Sequence, residues 1–227
     1  MDACLAAVRA GAADGHVVVA SRQTAGRGRT GRSWHSEDDG GLYLSVAIRR
    51  FERPAAAAGV TLAAGVAVHD AAASLGATDL DLKWPNDLLI GGRKVAGILT
   101  EWLDPPPGDA RPAVIIGVGL NVGQRVFPPD LAAAATSLAT ATGRESTSDE
   151  ALDAVLDALD AALDAFGRDG LRWAVPEWSH RSRLWGRRAR AAGVEGVMVR
   201  LDPDGALVVR RDSGAEERLT AGLVELL

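Results

Sequence analysis

Lysine is almost missing from this 227-residue chain. Of its 25 Lys+Arg residues only two are lysine, Lys83 and Lys94. Both fall in the stretch Lys83-Trp-Pro-Asn-Asp87-Leu-Leu-Ile-Gly91-Gly92-Arg93-Lys94. Lysine is a compact point charge on a flexible stem, whereas arginine is a planar fork that stays charged. A chain that writes arginine for nearly every positive charge marks these two positions as places where an ammonium is wanted.

Cysteine is also scarce. Cys4 is the only one, which excludes an intramolecular disulfide and a cysteine-based zinc site and points to a reducing, cytoplasmic setting. The four histidines (His16, His35, His69 and His180) show no metal-ligand spacing. Aromatics make up 4% of the chain and the formal net charge is −5, both against a general nucleic-acid binder. No basic n-region and long apolar run mark a signal peptide. The most apolar stretch, Ala55 to Val68, is too short for a membrane span and runs into His69-Asp70, so it reads as a buried helix.

What is present is 47% hydrophobic, enough for a full core. A helix is expected over Met1 to Ala13, closed by Gly15, then a buried strand His16 to Ser21. A long Gly/Arg/Ser/Asp loop follows from Gln23 to Gly41, and a strand from Leu42 to Ile48. Pro54 opens a helix that Gly76 closes. Asp81 to Lys83 is extended. Asp87 to Ile90, Gly91-Gly92 and Arg93 to Glu101 form the clearest hairpin signal. That turn sets Ile90 opposite Arg93, Leu89 opposite Lys94 and Asp87 opposite Ala96, which brings Asp87 and Lys94 to one face as diagonal neighbours. Gly117 and Gly119 lie inside the next strand, Ala113 to Val122, where glycine marks a close approach by a ligand or another backbone. An amphipathic helix starts after Ser148, carries Leu152, Val155, Leu156, Leu159, Leu163 and Phe166 as its apolar stripe, and stops at Gly167. From about Gly186 short strands with turn signals describe a small β module that should dock on the rest. The expected division is 1–185 and 186–227.

Gly26-Arg-Gly-Arg-Thr-Gly-Arg32-Ser33 nearly matches a P-loop, but no helix follows to supply amides and a dipole, so a nucleotide-triphosphatase is rejected. Its glycines and arginines still describe an anion-binding loop, expected to be mobile when empty and ordered when filled, and Trp34 suggests that it folds over something. A second basic run, Arg181, Arg183, Arg187, Arg188 and Arg190, reads as a solvated helix end and linker.

Four blocks together resemble biotin protein ligase: Gln23-Thr-Ala-Gly-Arg-Gly-Arg-Thr-Gly-Arg32 with Trp34, Lys83-Trp-Pro-Asn-Asp87, Arg93-Lys-Val-Ala-Gly97, and Gly117-Val-Gly-Leu-Asn121. The resemblance implies an α+β fold, a mixed sheet with flanking helices like that of class II aminoacyl-tRNA synthetases, plus a C-terminal SH3-like module. It implies an ATP-dependent ligase that forms biotinyl-5′-adenylate and transfers biotin to a lysine of a biotin carboxyl carrier protein. ATP and biotin are the substrates, with Mg²⁺ accompanying ATP. No DNA or membrane partner is expected, and monomer and homodimer stay open. By position, Gln23, Arg27, Gly28, Arg29 and Trp34 match the biotin and adenylate loop. Lys94 matches the lysine on the biotin carboxylate and α-phosphate. Asn86 and Asp87 match the pair near the incoming amine, and Gly97 and Asn121 line the pocket. Lys94, Arg29 and Asp87 are the expected catalytic set, and Gln124 to Leu131 falls on a second loop that orders over adenosine.

Two departures stand beside the match. Met1 falls just after the place of a family Ser-Thr-Asn strand, so an upstream start is expected. No helix-turn-helix precedes the blocks, which suggests the monofunctional form. The stretch Arg190-Ala-Ala-Gly-Val-Glu leaves little room for the first hairpin of an SH3-like barrel. The alternatives are a lipoate or octanoate ligase or transferase of the same fold, or a non-catalytic anion- or nucleic-acid-binding module.

Overall fold

A computed structural model describes residues 1–36, 40–105 and 111–227; Glu37 to Asp39 of the expected long loop lie outside them. The first sheet has six strands in the order β1-β2-β6-β5-β4-β3. These are β1 (His16–Ala20), β2 (Gly41–Ile48), β3 (Leu80–Lys83), β4 (Asp87–Ile90), β5 (Arg93–Leu103) and β6 (Ala113–Asn121). All neighbours pair antiparallel. A single parallel bridge outside the strands joins Lys94 to Ala135 among the described residues. β1 is an edge strand with one neighbour, so the expected buried strand leaves Val17 and Val19 exposed.

Helix α1 (Asp2–Arg9) ends earlier than expected and presses Cys4 and Val8 onto one sheet face, beside Ala47 and Ile115. The other face carries α2 (Val60–Ser74), whose small residues Ala63, Ala64, Ala67 and Ala71 let it lie close between the sheet and two further helices. The expected helix from Pro54 is broken: Pro54–Ala57 forms a 3₁₀ turn, and Gly59 adopts φ +88° before α2 begins. A side chain at Gly59 would strike Leu171. The stretch Pro54–Ser74 is long and apolar enough to cross a membrane by composition alone, but it is largely buried in this core.

A short helix, α3 (Leu138–Thr142), follows β6. Next comes α4 (Ser148–Asp169), capped by Thr147, whose hydroxyl accepts from the Glu150 amide while the Glu150 carboxylate accepts from the Thr147 amide. Gly167 does not stop it; the helix continues to Asp169 and Gly170 ends it. A helix the sequence reading lacks, α5 (Leu171–His180), follows at once and buries Ala174 and Trp178.

The C-terminal residues form a second, five-stranded antiparallel sheet in the order β10-β9-β8-β7-β11. Its strands are β7 (Arg188–Ala191), β8 (Val194–Leu201), β9 (Leu207–Arg210), β10 (Glu216–Leu219) and β11 (Val224–Leu226). The first hairpin does fit: β7 and β8 join through Ala192-Gly193, both at positive φ, so two residues suffice for the turn. One apolar core runs through both sheets, from Leu82 and Trp84 to Met198 and Leu207. The indole N–H of Trp84 donates to the Gly205 carbonyl at 3.0 Å.

The second basic run is engaged in joining elements. Arg181 grips both oxygens of Asp70 on α2 at 2.7 and 2.8 Å. Arg183 pairs with Asp79 and Asp81, and Arg188 with Asp212 and Glu195.

Candidate functional site

A cleft of about 750 Å³ opens over β4, β5 and β6. The Gly-Arg loop bounds one side, Phe127 to Ala135 another, and Gly222 to Leu226 of the C-terminal sheet form part of its rim. The Gly-Arg loop is a small hairpin. Arg27 bridges to Ser33, the Gly28 amide donates to Arg32 at 2.7 Å, and the Trp34 amide donates to Gly26 at 2.9 Å. Arg29–Gly31 forms its 3₁₀ tip, with Thr30 and Gly31 at positive φ. Gly26 is required by close approach, since a Cβ there would lie 2.5 Å from the Trp34 carbonyl.

That hairpin drops Trp34 onto the sheet. Its indole lies over Gly97 and Gly119, where added Cβ atoms would meet the ring at 2.9 and 2.7 Å. Of the two glycines expected to mark a close approach, Gly119 thus admits a side chain from the loop above, whereas a Cβ at Gly117 would meet the end of Met1 at 2.9 Å. Lys94 Nζ stands 5.3 Å from the Trp34 ring centroid. Arg29 and Gln23 also line the cleft, and the backbone N–H of Gln23 donates to the Ser36 hydroxyl at 2.8 Å. Arg27 and Gly28 line the cleft too, and Arg27 also pairs with Asp2 at 2.6 Å, with Glu101 3.6 Å away.

On the cleft floor, buried Asp87 takes Lys94 Nζ on Oδ1 at 2.5 Å and Lys83 Nζ on Oδ2 at 3.0 Å. Burial pushes its carboxyl up, but the charges and hydrogen bonds of Lys94 and Lys83 outweigh that and hold it below the usual carboxylate range. Asp87 is therefore ionised at neutral pH.

The expected register holds only to Leu89 opposite Lys94. A β-bulge follows, so Leu88 faces Ala96 and Asp87 faces Gly97, not Ala96. The extra residue resets the side-chain alternation of β5. Lys94 and Gly97 consequently reach the same face although three positions apart, while Val95 and Ala96 are fully buried.

The two asparagines brace the walls. Asn86 Nδ2 donates to the Ile98 carbonyl, and the Ile98 amide donates back to the Asn86 carbonyl, both at 2.8 Å. Buried Asn121 donates to the Thr136 carbonyl at 2.9 Å. The same segment is held by β5, since the Lys94 amide donates to Ala134 at 2.7 Å and its carbonyl accepts from Thr136 at 2.9 Å. Sequence reading missed this support, along with Tyr43 and Ser137, and it placed Gln124 on the second loop without the contacts that hold it. Gln124 Nε2 donates to the Tyr43 hydroxyl at 3.3 Å, and the Ser137 hydroxyl donates to the Gln124 carbonyl. It missed as well the rim residues of β11 and the contact of Lys83 with Asp87. Of these only Lys83, one of two lysines, carried a visible signal.

Residues 9–121 match the model of the biotin/lipoate A/B protein ligase family. A biotin–[acetyl-CoA-carboxylase] ligase of Paracoccus denitrificans is 34% identical over 208 residues, covering 88% of this chain and 85% of that protein. The bifunctional ligase/repressor BirA of Bacillus subtilis is 32% identical over 218 residues, covering 93% of this chain. The chain spans 66% of that protein and 41% of its Bacillus spizizenii counterpart, less than two thirds of each. A solved biotin protein ligase from Aquifex aeolicus in complex with biotin and ATP superposes with a TM-score of 0.82, at 29% identity, covering 96% of this chain and 90% of that one. With these likenesses running through both sheets and the cleft between them, the chain belongs to the biotin protein ligases of the biotin/lipoate A/B protein ligase family.

Proposed function

We propose that this chain activates biotin with MgATP as biotinyl-5′-adenylate and transfers the biotinyl group to one lysine of a biotin carboxyl carrier protein. The observation that carries the reading is the Lys83–Asp87–Lys94 cluster on the floor of a cleft roofed by a Gly-Arg hairpin. Such a site holds an acyl phosphate by positioned charge, the form of catalysis that phosphoryl and acyl transfer require.

In the first step a biotin carboxylate oxygen attacks the α-phosphorus and the bond to pyrophosphate breaks. Both partners are anionic, and Lys94 is the cation placed to reduce their repulsion. Gly28 and Arg29 close over the adenylate, with Gln23 and Trp34 on the biotin side and Asn121 bracing the far wall. Arg27 joins them only when its pair with Asp2 opens; that pair is exposed and such pairs are worth about 0–1 kcal/mol. In the second step the carrier amine attacks the acyl carbon, the bond to AMP breaks, and the ammonium proton is lost to solvent. An efficient general base titrates near the working pH. Asp87, held low, is suited to orient the incoming ammonium rather than to deprotonate it, with Asn86 beside it. Mg²⁺ arrives with ATP. Residues 1–185 would carry the cleft and 186–227 close its rim, in a cytoplasmic enzyme.

Biotin-dependent ATP–pyrophosphate exchange tests this directly. Exchange with biotin and not with lipoate or octanoate supports the reading; exchange with lipoate alone moves the chain to the sister activity. Silence with all three overturns the ligase reading. Arg181, Arg183 and Arg188 of the second basic run are engaged in ion pairs, which counts against the nucleic-acid alternative.

A further inference from the structure

Lys83 ends β3 four residues before Asp87, and its side chain is 16% exposed against 35% for Lys94. The two ammoniums divide the carboxylate between them, Lys83 on Oδ2 and Lys94 on Oδ1. Lys83 also donates to the Val224 carbonyl of β11 at 3.2 Å, across to the second sheet.

One carboxylate neutralises one ammonium. With both lysines in place the cluster carries a net single positive charge, and its more exposed member is Lys94, at the floor of the cleft. Were Lys83 neutral, Asp87 and Lys94 would form a closed neutral pair. A substrate anion would then have to compete with Asp87 for the ammonium of Lys94. We propose that Lys83 is a positioning residue that, by holding the second oxygen of Asp87 and the β11 backbone, leaves Lys94 free to receive the substrate anion. Lys83 acts through Asp87 and through the C-terminal rim. The identity of the anion, biotin's carboxylate with the α-phosphate, rests on the ligase reading above. Among the described residues the charged groups paired with Asp87 are Lys83 from β3 and Lys94 from β5. Glu225 of β11 lies on the rim, 3.8 Å from Arg190.

The test compares Lys83→Met, Lys83→Arg and Lys83→Gln in the full chain, with thermal unfolding to confirm the fold. The carboxyl carbon of Asp87 is titrated by NMR, and exchange is followed against biotin concentration. Removing the charge should raise the Asp87 midpoint in the Met and Gln variants and leave it near wild type in the Arg variant. The biotin KM should rise about tenfold in Met and Gln with a smaller change in kcat, and recover in Arg. A packing role predicts the reverse order, Met retaining more than Arg. An unchanged Asp87 midpoint, or Met outperforming Arg, overturns the proposal. If the wild type itself fails in exchange, the ligase reading falls, and the Asp87 midpoint alone decides on Lys83. If Met does not fold, Gln, which keeps a donor for Val224, decides.

Discussion

Gly97 and Gly119 face each other across the β5–β6 pair, and the indole of Trp34 rests on both. A methyl at Gly119 would lie 2.7 Å from the rigid ring, and one at Gly97 would meet both the ring and the Lys94 ammonium. Gly119→Ala should therefore lift the Gly-Arg hairpin off the sheet, cost about 1–3 kcal/mol and weaken biotin binding. Gly117→Ala is the control, because its nearest neighbour is the flexible methyl end of Met1 at 2.9 Å. Thermal unfolding and biotin calorimetry check the order. Equal effects at the two positions would mean that Trp34 does not sit where its packing matters.

The same strand shows what the sequence could and could not reveal. Gly91-Gly92 announced the hairpin because both residues take positive φ, which glycine alone adopts freely, and the turn carried Asp87 and Lys94 to one face. The bulge after Lys94 left no trace, since Val95 and Ala96 are both apolar and both buried. Alternation cannot report a residue that has no surface to face. α5 was hidden by Pro176 in its middle and Gly170 at its start. The remaining omissions are non-local. The Val224 carbonyl that Lys83 reaches belongs to a backbone 141 residues away, and Arg27 meets Asp2 across 25. Composition and local pattern contain no information about such partners.

Lys94→Arg preserves charge and removes the compact ammonium. Lys94 Nζ is 2.5 Å from Asp87 and 5.3 Å from the Trp34 centroid, and even a methyl on Gly97 would come within 3.1 Å of it. A planar guanidinium does not fit that space without moving Trp34 or Asp87. Adenylate formation should fall on the order of 10²-fold, measured by exchange at saturating ATP. Normal exchange in this variant removes Lys94 from the role assigned to it.

Arg29 stands at the 3₁₀ tip of the hairpin and lines the cleft. If it holds the adenylate in place, Arg29→Ala should release biotinyl-adenylate and label lysines on a bystander such as serum albumin. The chain itself, with two lysines, offers little competing target. Mass spectrometry of the bystander gives the answer. Label confined to the carrier protein would show that another group restrains the intermediate.

Asp70 ties α2 to the start of the C-terminal region. Burial alone would raise its carboxyl, but hydrogen bonds from His69 and Arg181, with the Arg181 charge, hold it at about 2 against an ordinary 3.8. A carboxylate depressed in the folded state stabilises the fold fully above its unfolded value and loses that contribution as pH falls toward the folded one. The stability gap between wild type and Asp70→Asn should thus be widest near neutral pH. It should narrow as pH drops from 3.8 to about 2, the interval over which folded Asp70 takes up its proton. Thermal melts across that range at fixed ionic strength measure the gap. A gap that stays constant would assign the loss in Asp70→Asn to packing and leave the Arg181 latch without an ionic part.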